Sequence, residues 1–234
     1  MSRIKTQFYN TFSLTLAKIF RPILSFVLVR QISLTFGQGG HGQYAVIFNY
    51  VVIFEIMAAF GIKRLLSREI ARSRTKVSEL FLNSSLVILP LALITTAVMA
   101  VFVTQLNWDP ELVRIAWVAA AAIAASALSQ TSEGVFIGLE KMHIVSIGWI
   151  GENIVRVVVS MYLLHAGYGL MSLVITYVAT KYLTLAFYLL VMFLRISPGR
   201  LRFSKKVWVK MFTSARTFAL IVFFVTVYWK LDSL

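Results

Sequence analysis

Residues 36–76 read FGQGGHGQYAVIFNYVVIFEIMAAFGIKRLLSREIARSRTK. A glycine-rich turn opens the stretch. A run from Tyr44 to Ile62 follows, largely apolar with Glu55 as its single charge, and the chain then breaks into Lys63, Arg64, Arg68, Arg72, Arg74 and Lys76. At 1.5 Å per residue, a helix of about 19 residues covers ~28 Å, close to the ~30 Å hydrocarbon core of a bilayer. The pattern predicts one membrane crossing that ends at a basic surface.

The same pattern repeats outward in both directions. Apolar runs predict spans at 8–34, 44–62, 80–104, 112–137, 144–165 and 168–194, with a seventh beginning near 212. The joints FGQGGHGQ, NWDPE, HAGYG and SPGR carry the Gly and Pro that favour turns. Composition agrees: 59% of residues are hydrophobic, 14% are charged and the mean hydropathy is +0.82. Soluble domains hold roughly 45–50% apolar and about 25% charged residues.

The formal net charge of +14 reflects topology and does not indicate nucleic acid, because 15 of the 23 Lys and Arg fall in short connections or before the first span. Arg3 and Lys5 precede span one, and six basic residues follow span two. Lys141 follows span four, and Arg195, Arg200, Arg202, Lys205, Lys206 and Lys210 follow span six. The alternate loops, 37–43, 105–111 and 166–167, have none. Basic side chains accumulate on the cytoplasmic side, so the N-terminus is expected in the cytoplasm. The first span begins like a signal peptide but is interrupted by Lys18 and Arg21 and has no small-residue cleavage site, so a retained helix is expected.

Several chemistries are excluded. With no Cys and three scattered His, neither a thiolate nor a histidine-rich metal site is expected. No phosphate-binding loop, HExxH or nucleophile elbow occurs, so no enzyme activity and no cofactor are expected. GQGGHG reads as a tight turn.

Ionisable groups inside spans carry the functional expectation, since each costs about 2.5–3.5 kcal/mol near the bilayer centre. Lys18 and Arg21 share one helical face beside Pro22, where two like charges suit an anion in a wet cavity. The alternative is that Lys18 snorkels to the surface and Arg21 pairs with Glu55 or another carboxylate. Glu55 reads as a proton or cation site, or as half of a salt bridge. Glu152 and Arg156, four apart with the acid first, read as an intrahelical pair. Lys181 is expected to snorkel or to pair with Glu152, and Glu133 and Arg114 to reach water at opposite ends of span four. Gly134 with Gly138, and Gly148 with Gly151, suit close helix approach. Trp108, Trp149, Tyr168 and Trp208 suit interfacial belts. Arg216, Lys230 and Asp232 on the seventh span need protein rather than lipid around them, so further chain beyond Leu234 is expected.

Four segments in order carry a family resemblance: FGQGGHGQYAVIFNYVVIFE (36–55), FGIKRLLSREIARSRTKVSEL (60–80), IGLEKMHIVSIGWIGENIVR (137–156) and YWKLDSL (228–234). Together they resemble the polysaccharide biosynthesis and O-antigen flippases of the multidrug/oligosaccharidyl-lipid/polysaccharide exporter superfamily. The resemblance implies an all-α membrane fold of two six-helix lobes around a central cationic cavity lined by the first, second, seventh and eighth helices. Members have about twelve to fourteen helices, so this chain corresponds to the N-terminal half: a lobe at 1–195, a basic cytoplasmic linker at 196–211 and the start of the seventh helix at 212–234.

By helix, the resemblance puts Lys18, Arg21, Arg216 and Lys230 as substrate contacts and Glu55 and Asp232 as coupling carboxylates. It implies flipping of an undecaprenyl-pyrophosphate-linked oligosaccharide across the bacterial inner membrane. Membrane lipids and a glycan polymerase or glycosyltransferases would be the partners. A cation-coupled drug or metabolite exporter and a non-transporting scaffold are the alternatives.

Overall fold

A computed structural model describes residues 3–195 together with 203–205, 208, 209 and 213. Within them the chain is helical and has no strand. The order is α1 (Arg3–Ala59), α2 (Ile62–Arg72), a short 3-10 turn (Arg74–Lys76), α3 (Val77–Thr104), α4 (Pro110–Ala120), α5 (Ala122–Gly138), α6 (Met142–His165) and α7 (Leu170–Arg195). Five stretches are long and apolar enough to cross a membrane: 12–72, 74–104, 110–138, 142–165 and 170–194. Lys18, Arg21 and Glu55 lie on α1. Arg216, Lys230 and Asp232 lie outside the described residues, as do nearly all of 196–211 and 212–234.

The first stretch is not one rod. Gly37 has φ 68° and ψ −169°, a backbone conformation that an L side chain resists, and it divides α1 into two limbs. An unbroken helix would hold Ser25 and Glu55 about 45 Å apart. Instead, Arg156 of α6 donates to Ser25 Oγ at 3.3 Å and lies 6.0 Å from the centre of the Tyr177 ring, whose hydroxyl bonds Glu55. Both limbs therefore pass the same level, and the chain reverses at Gly37. The expected span 8–34 falls on the first limb and 44–62 on the second limb as far as its end at Ala59, and the predicted seven-residue turn shrinks to one residue with helix resuming at once.

α4 and α5 together form the expected fourth span, jogged at Ala121, whose carbonyl accepts the Tyr182 hydroxyl at 3.1 Å. This is the centre of the bundle. In its most apolar window 61% of the residues are buried, against 33–39% in the other four stretches. Small side chains explain the difference, because Ala122, Ala125, Ser126, Ala127, Ser129, Ser132, Gly134 and Gly138 let neighbouring helices come close. Hydroxyls here are satisfied locally: Thr131 donates to Ala127 O at 3.1 Å and Ser132 to Leu128 O at 3.3 Å.

The segment read as a basic loop is a helix. In α2, Ile62, Leu65, Leu66 and Ile70 are buried, while Arg64, Arg68 and Arg72 are exposed on the other side. The helix rests on the two glycines of α5. A Cβ on Gly134 would come 2.9 Å from Lys63 O, and one on Gly138 would come 2.8 Å from both Ser67 O and Ile70 Cβ. Large apolar residues cover the outer faces, among them Phe26, Val101, Val158 and Leu194, as suits helices bathed in hydrocarbon.

Candidate functional site

Charged side chains from five elements converge on one polar cavity of about 280 Å³. Its walls include Arg21 and Glu55 from the two limbs of α1, Lys63 from α2, Ser129 and Glu133 from α5, Trp149, Glu152 and Asn153 from α6, and Lys181 from α7. At ~30 Å³ per water, the space holds several solvent molecules. Among the described residues, Ser129 Oγ and, beside the chamber, Arg156 Nε have no hydrogen-bond partner, so both are groups that water or a ligand can satisfy.

Nearly every charge in the chamber has a partner on a different helix. Lys63 pairs with Glu133, and Glu133 also accepts the Trp149 indole N–H at 2.7 Å. The Lys63 ammonium lies 4.7 Å from the centre of the Trp149 ring, within cation–π reach. Deeper in, Lys181 bonds Glu152 at 2.9 Å and sits 5.3 Å from the centre of the Tyr177 ring. Glu55 is buried and accepts the Tyr177 hydroxyl at 2.7 Å. Arg156 donates to Asn153 Oδ1 at 3.0 Å and to Ser25.

Arg21 stands apart: it lines the cavity, is exposed, and has no ion pair among the described residues. Lys18 is exposed one turn away and is not among the lining residues. The cavity thus carries Arg21, Lys63 and Lys181 against Glu55, Glu133 and Glu152, a balanced set with one cation uncommitted.

Three expectations are corrected. Glu152 and Arg156 do not pair along α6, because Lys181 on α7 reaches Glu152 while Arg156 turns to Asn153 and α1. Glu133 does not stand free at a helix end; it is buried between Lys63 and Trp149, on the wall of the cavity. Trp149 therefore acts as a hydrogen-bond donor inside the lobe rather than as part of an interfacial belt. The pairing of Lys181 with Glu152 is found as expected, and the alternative of Arg21 with Glu55 is not.

Among the glycines of α6, Gly148 takes part in close packing, since a Cβ there would run into the Tyr188 hydroxyl, whereas Gly151 faces open space. Lys63 and Trp149 are site residues that the sequence reading did not single out. A signal for Lys63 exists, because Lys63 is spaced i, i+3, i+7 with the buried Leu66 and Ile70 and so lies on the inward side of α2, itself partly buried. Among the described residues, no group of His, Asp and Glu could hold a metal ion.

A family model described as polysaccharide biosynthesis protein matches residues 8–234. The chain belongs to that family. No curated protein matches it. Its fold is shared with solved structures of membrane transporters. One is an outward-facing multidrug resistance MATE family transporter of the MOP superfamily, with TM-score 0.77, 12% identity and coverage of 93% of this chain and 52% of that one. A MOP superfamily transporter from Pyrococcus furiosus aligns with TM-score 0.73 and 11% identity over 95% of this chain and 52% of its own. A eukaryotic MATE transporter aligns with TM-score 0.69 and 15% identity over 94% and 55%. This member of the polysaccharide biosynthesis family thus spans about half the length of the solved structures it matches, and its fold is that of half of each.

Proposed function

We propose that this chain forms the N-terminal lobe of a flippase that moves an undecaprenyl-pyrophosphate-linked oligosaccharide from the cytoplasmic to the outer leaflet of a bacterial inner membrane. In this reading the N-terminus is cytoplasmic and the basic helix α2 lies on the cytoplasmic side. The observation that carries it is Arg21: a guanidinium at a polar cavity with no ion pair among the described residues, whereas the other two cations there, Lys63 and Lys181, are neutralised by Glu133 and Glu152. A diphosphate brings several anionic oxygens, and a planar guanidinium can bond two of them at once. Lys18, one turn away on the same helix, adds long-range attraction as the substrate arrives. The family match supports polysaccharide biosynthesis as the setting, and glycan polymerases or glycosyltransferases are the partners that would supply or consume the lipid-linked sugar.

The test is replacement of Lys18 and Arg21 by Gln in the full-length protein, with surface glycan and inner-leaflet lipid-linked precursor measured together. Loss of surface glycan with precursor accumulating in the inner leaflet is expected. Unchanged surface glycan would remove both residues from headgroup binding.

A cation-coupled exporter is the second reading. It is favoured by Glu55, a buried carboxylate at the cavity wall, and by the fold shared with a multidrug resistance transporter. Accumulation of a cationic dye in cells carrying Glu55→Gln separates the two, because only the exporter reading predicts a rise in dye.

A further inference from the structure

A second opening lies on the outside of the bundle between α6 and α7. It is an apolar crevice of about 180 Å³ lined by Ile147, Gly151, Val155, Leu183 and Phe187, with Glu152 and two threonines at its floor. Its rim is exposed and apolar: Ile147 is 57% and Leu183 61% accessible, on stretches apolar enough to sit in hydrocarbon. Gly151 keeps the crevice open, since a Cβ there would meet nothing within 4 Å. The threonines do not polarise it, because Thr180 and Thr184 spend their hydroxyl protons on carbonyls of their own helix.

Glu152 belongs to both spaces: it lines the crevice and it lines the polar cavity, where it holds Lys181 at 2.9 Å. An ion pair is therefore the partition between a hydrocarbon-facing groove and a wet chamber. A molecule bridging the two needs a long apolar chain joined to an anionic head. The chain gains burial in the crevice, and the head meets Lys181 at the threshold and Arg21 beyond it.

We infer that the α6–α7 crevice is a binding site for the prenyl chain of a lipid diphosphate whose headgroup occupies the polar cavity, with the Glu152–Lys181 pair as the threshold between them. The inference rests on the flippase reading and deepens it by giving the lipid tail a place that keeps it in the membrane while the head is inside the protein.

The experiment places a photoreactive amino acid at Leu183, and at the lipid-exposed Leu93 of α3 as a control, in the full-length protein in membrane vesicles. The vesicles hold undecaprenyl diphosphate, undecaprenol and phosphatidylglycerol. The expected result is an adduct at Leu183 enriched in undecaprenyl diphosphate over the other two lipids, with no such enrichment at Leu93. Gly151→Phe fills the crevice without opposing backbone packing; losing the burial of about two methylenes should lower that adduct roughly tenfold. Gly151→Ala should label like the parent, and Lys181→Gln should lower the preference for diphosphate over undecaprenol, with Arg21 keeping the remainder.

Equal lipid ratios at Leu183 and Leu93, or no undecaprenyl adduct at Leu183, would overturn the inference. If that occurs while surface glycan still depends on Arg21, the crevice assignment fails and the flippase reading stands. If the enriched adduct forms while glycan export ignores Arg21 and Lys18, the crevice stands and the headgroup assignment fails.

Discussion

Separating Glu152 from Lys181 is the perturbation whose cost the structure sets most directly. The two side chains are 8% and 11% exposed and 2.9 Å apart, so each stands in for most of the other's lost hydration. Truncating one partner of a buried pair typically costs 3–5 kcal/mol, because it leaves an unpaired buried charge. Here the cavity wets one side of the pair, and Arg156 and Arg21 lie within electrostatic reach of Glu152, so the lower end applies: about 3 kcal/mol for Glu152→Gln or Lys181→Met alone. Replacing both charges removes the attraction and the desolvation cost together, and the doubly substituted protein should lie within about 1 kcal/mol of the parent. At ~2–4 °C per kcal/mol for a chain of this size, each single substitution lowers the unfolding midpoint by roughly 6–12 °C, and the double one by less than ~4 °C. Thermal unfolding of the purified protein in one detergent, run on all four forms, gives the coupling energy as a double-mutant cycle. Single substitutions within ~1 kcal/mol of the parent, or a double substitution that merely adds the two losses, would refute the argument that these charges depend on one another.

Further outcomes follow from other contacts. Gly148→Leu should prevent α6 from seating on α7, because even a Cβ there runs into the Tyr188 hydroxyl, whereas Gly151→Leu should leave folded yield in detergent unchanged. Gly138→Ala, with 2.8 Å contacts to Ile70 Cβ and Ser67 O, should lift α2 and expose the 62–72 backbone to faster hydrogen exchange; unchanged exchange would mean that α2 adjusts by sliding. Tyr177→Phe takes the hydroxyl from Glu55 and should cost about 1–3 kcal/mol in the same thermal assay, with no recovery unless Glu55 is also neutralised. Gly37→Ala puts a Cβ on a residue at φ 68° and should cost roughly 1 kcal/mol, read as a lower midpoint.

Much of the bundle can be read from the chain because lipid imposes a length and a polarity that local sequence must satisfy. The turn at Gly37, the run to Glu55 and the small residues of α5 all speak at short range. Helix α2 shows where one strong signal hides another: its six basic residues with the adjoining turn mark a loop by charge count, while the i, i+3, i+4 spacing of Ile62, Leu65 and Leu66 marks a helix by period. The partners in the cavity are less legible. Glu152 and Arg156 have the spacing of a helical pair, yet their choice depends on Lys181, 29 positions from Glu152, and on Ser25, 131 positions from Arg156. Glu133 meets Lys63 across 70 positions. Spacing along one helix says which groups could meet, and only the packing of several helices says which do.

The placement of the Glu152–Lys181 pair also bears on how the protein is made. A helix bearing a lone buried carboxylate, or a lone ammonium, enters hydrocarbon at a cost of about 2.5–3.5 kcal/mol. Helices α6 and α7 follow one another in the chain, joined only through residues 166–169, with Gly167 at φ 79° making the bend. They can therefore leave the insertion machinery as one hairpin whose two charges already cancel. Lys63 differs, since its carboxylate arrives three helices later, and α2 must wait at the surface of the membrane until α5 is in place. Order of synthesis and electrostatic pairing thus coincide for the innermost pair and part company for the outer one, and a pause between α5 and α6 would strand Glu133 without Trp149 but never Glu152 without its hairpin partner.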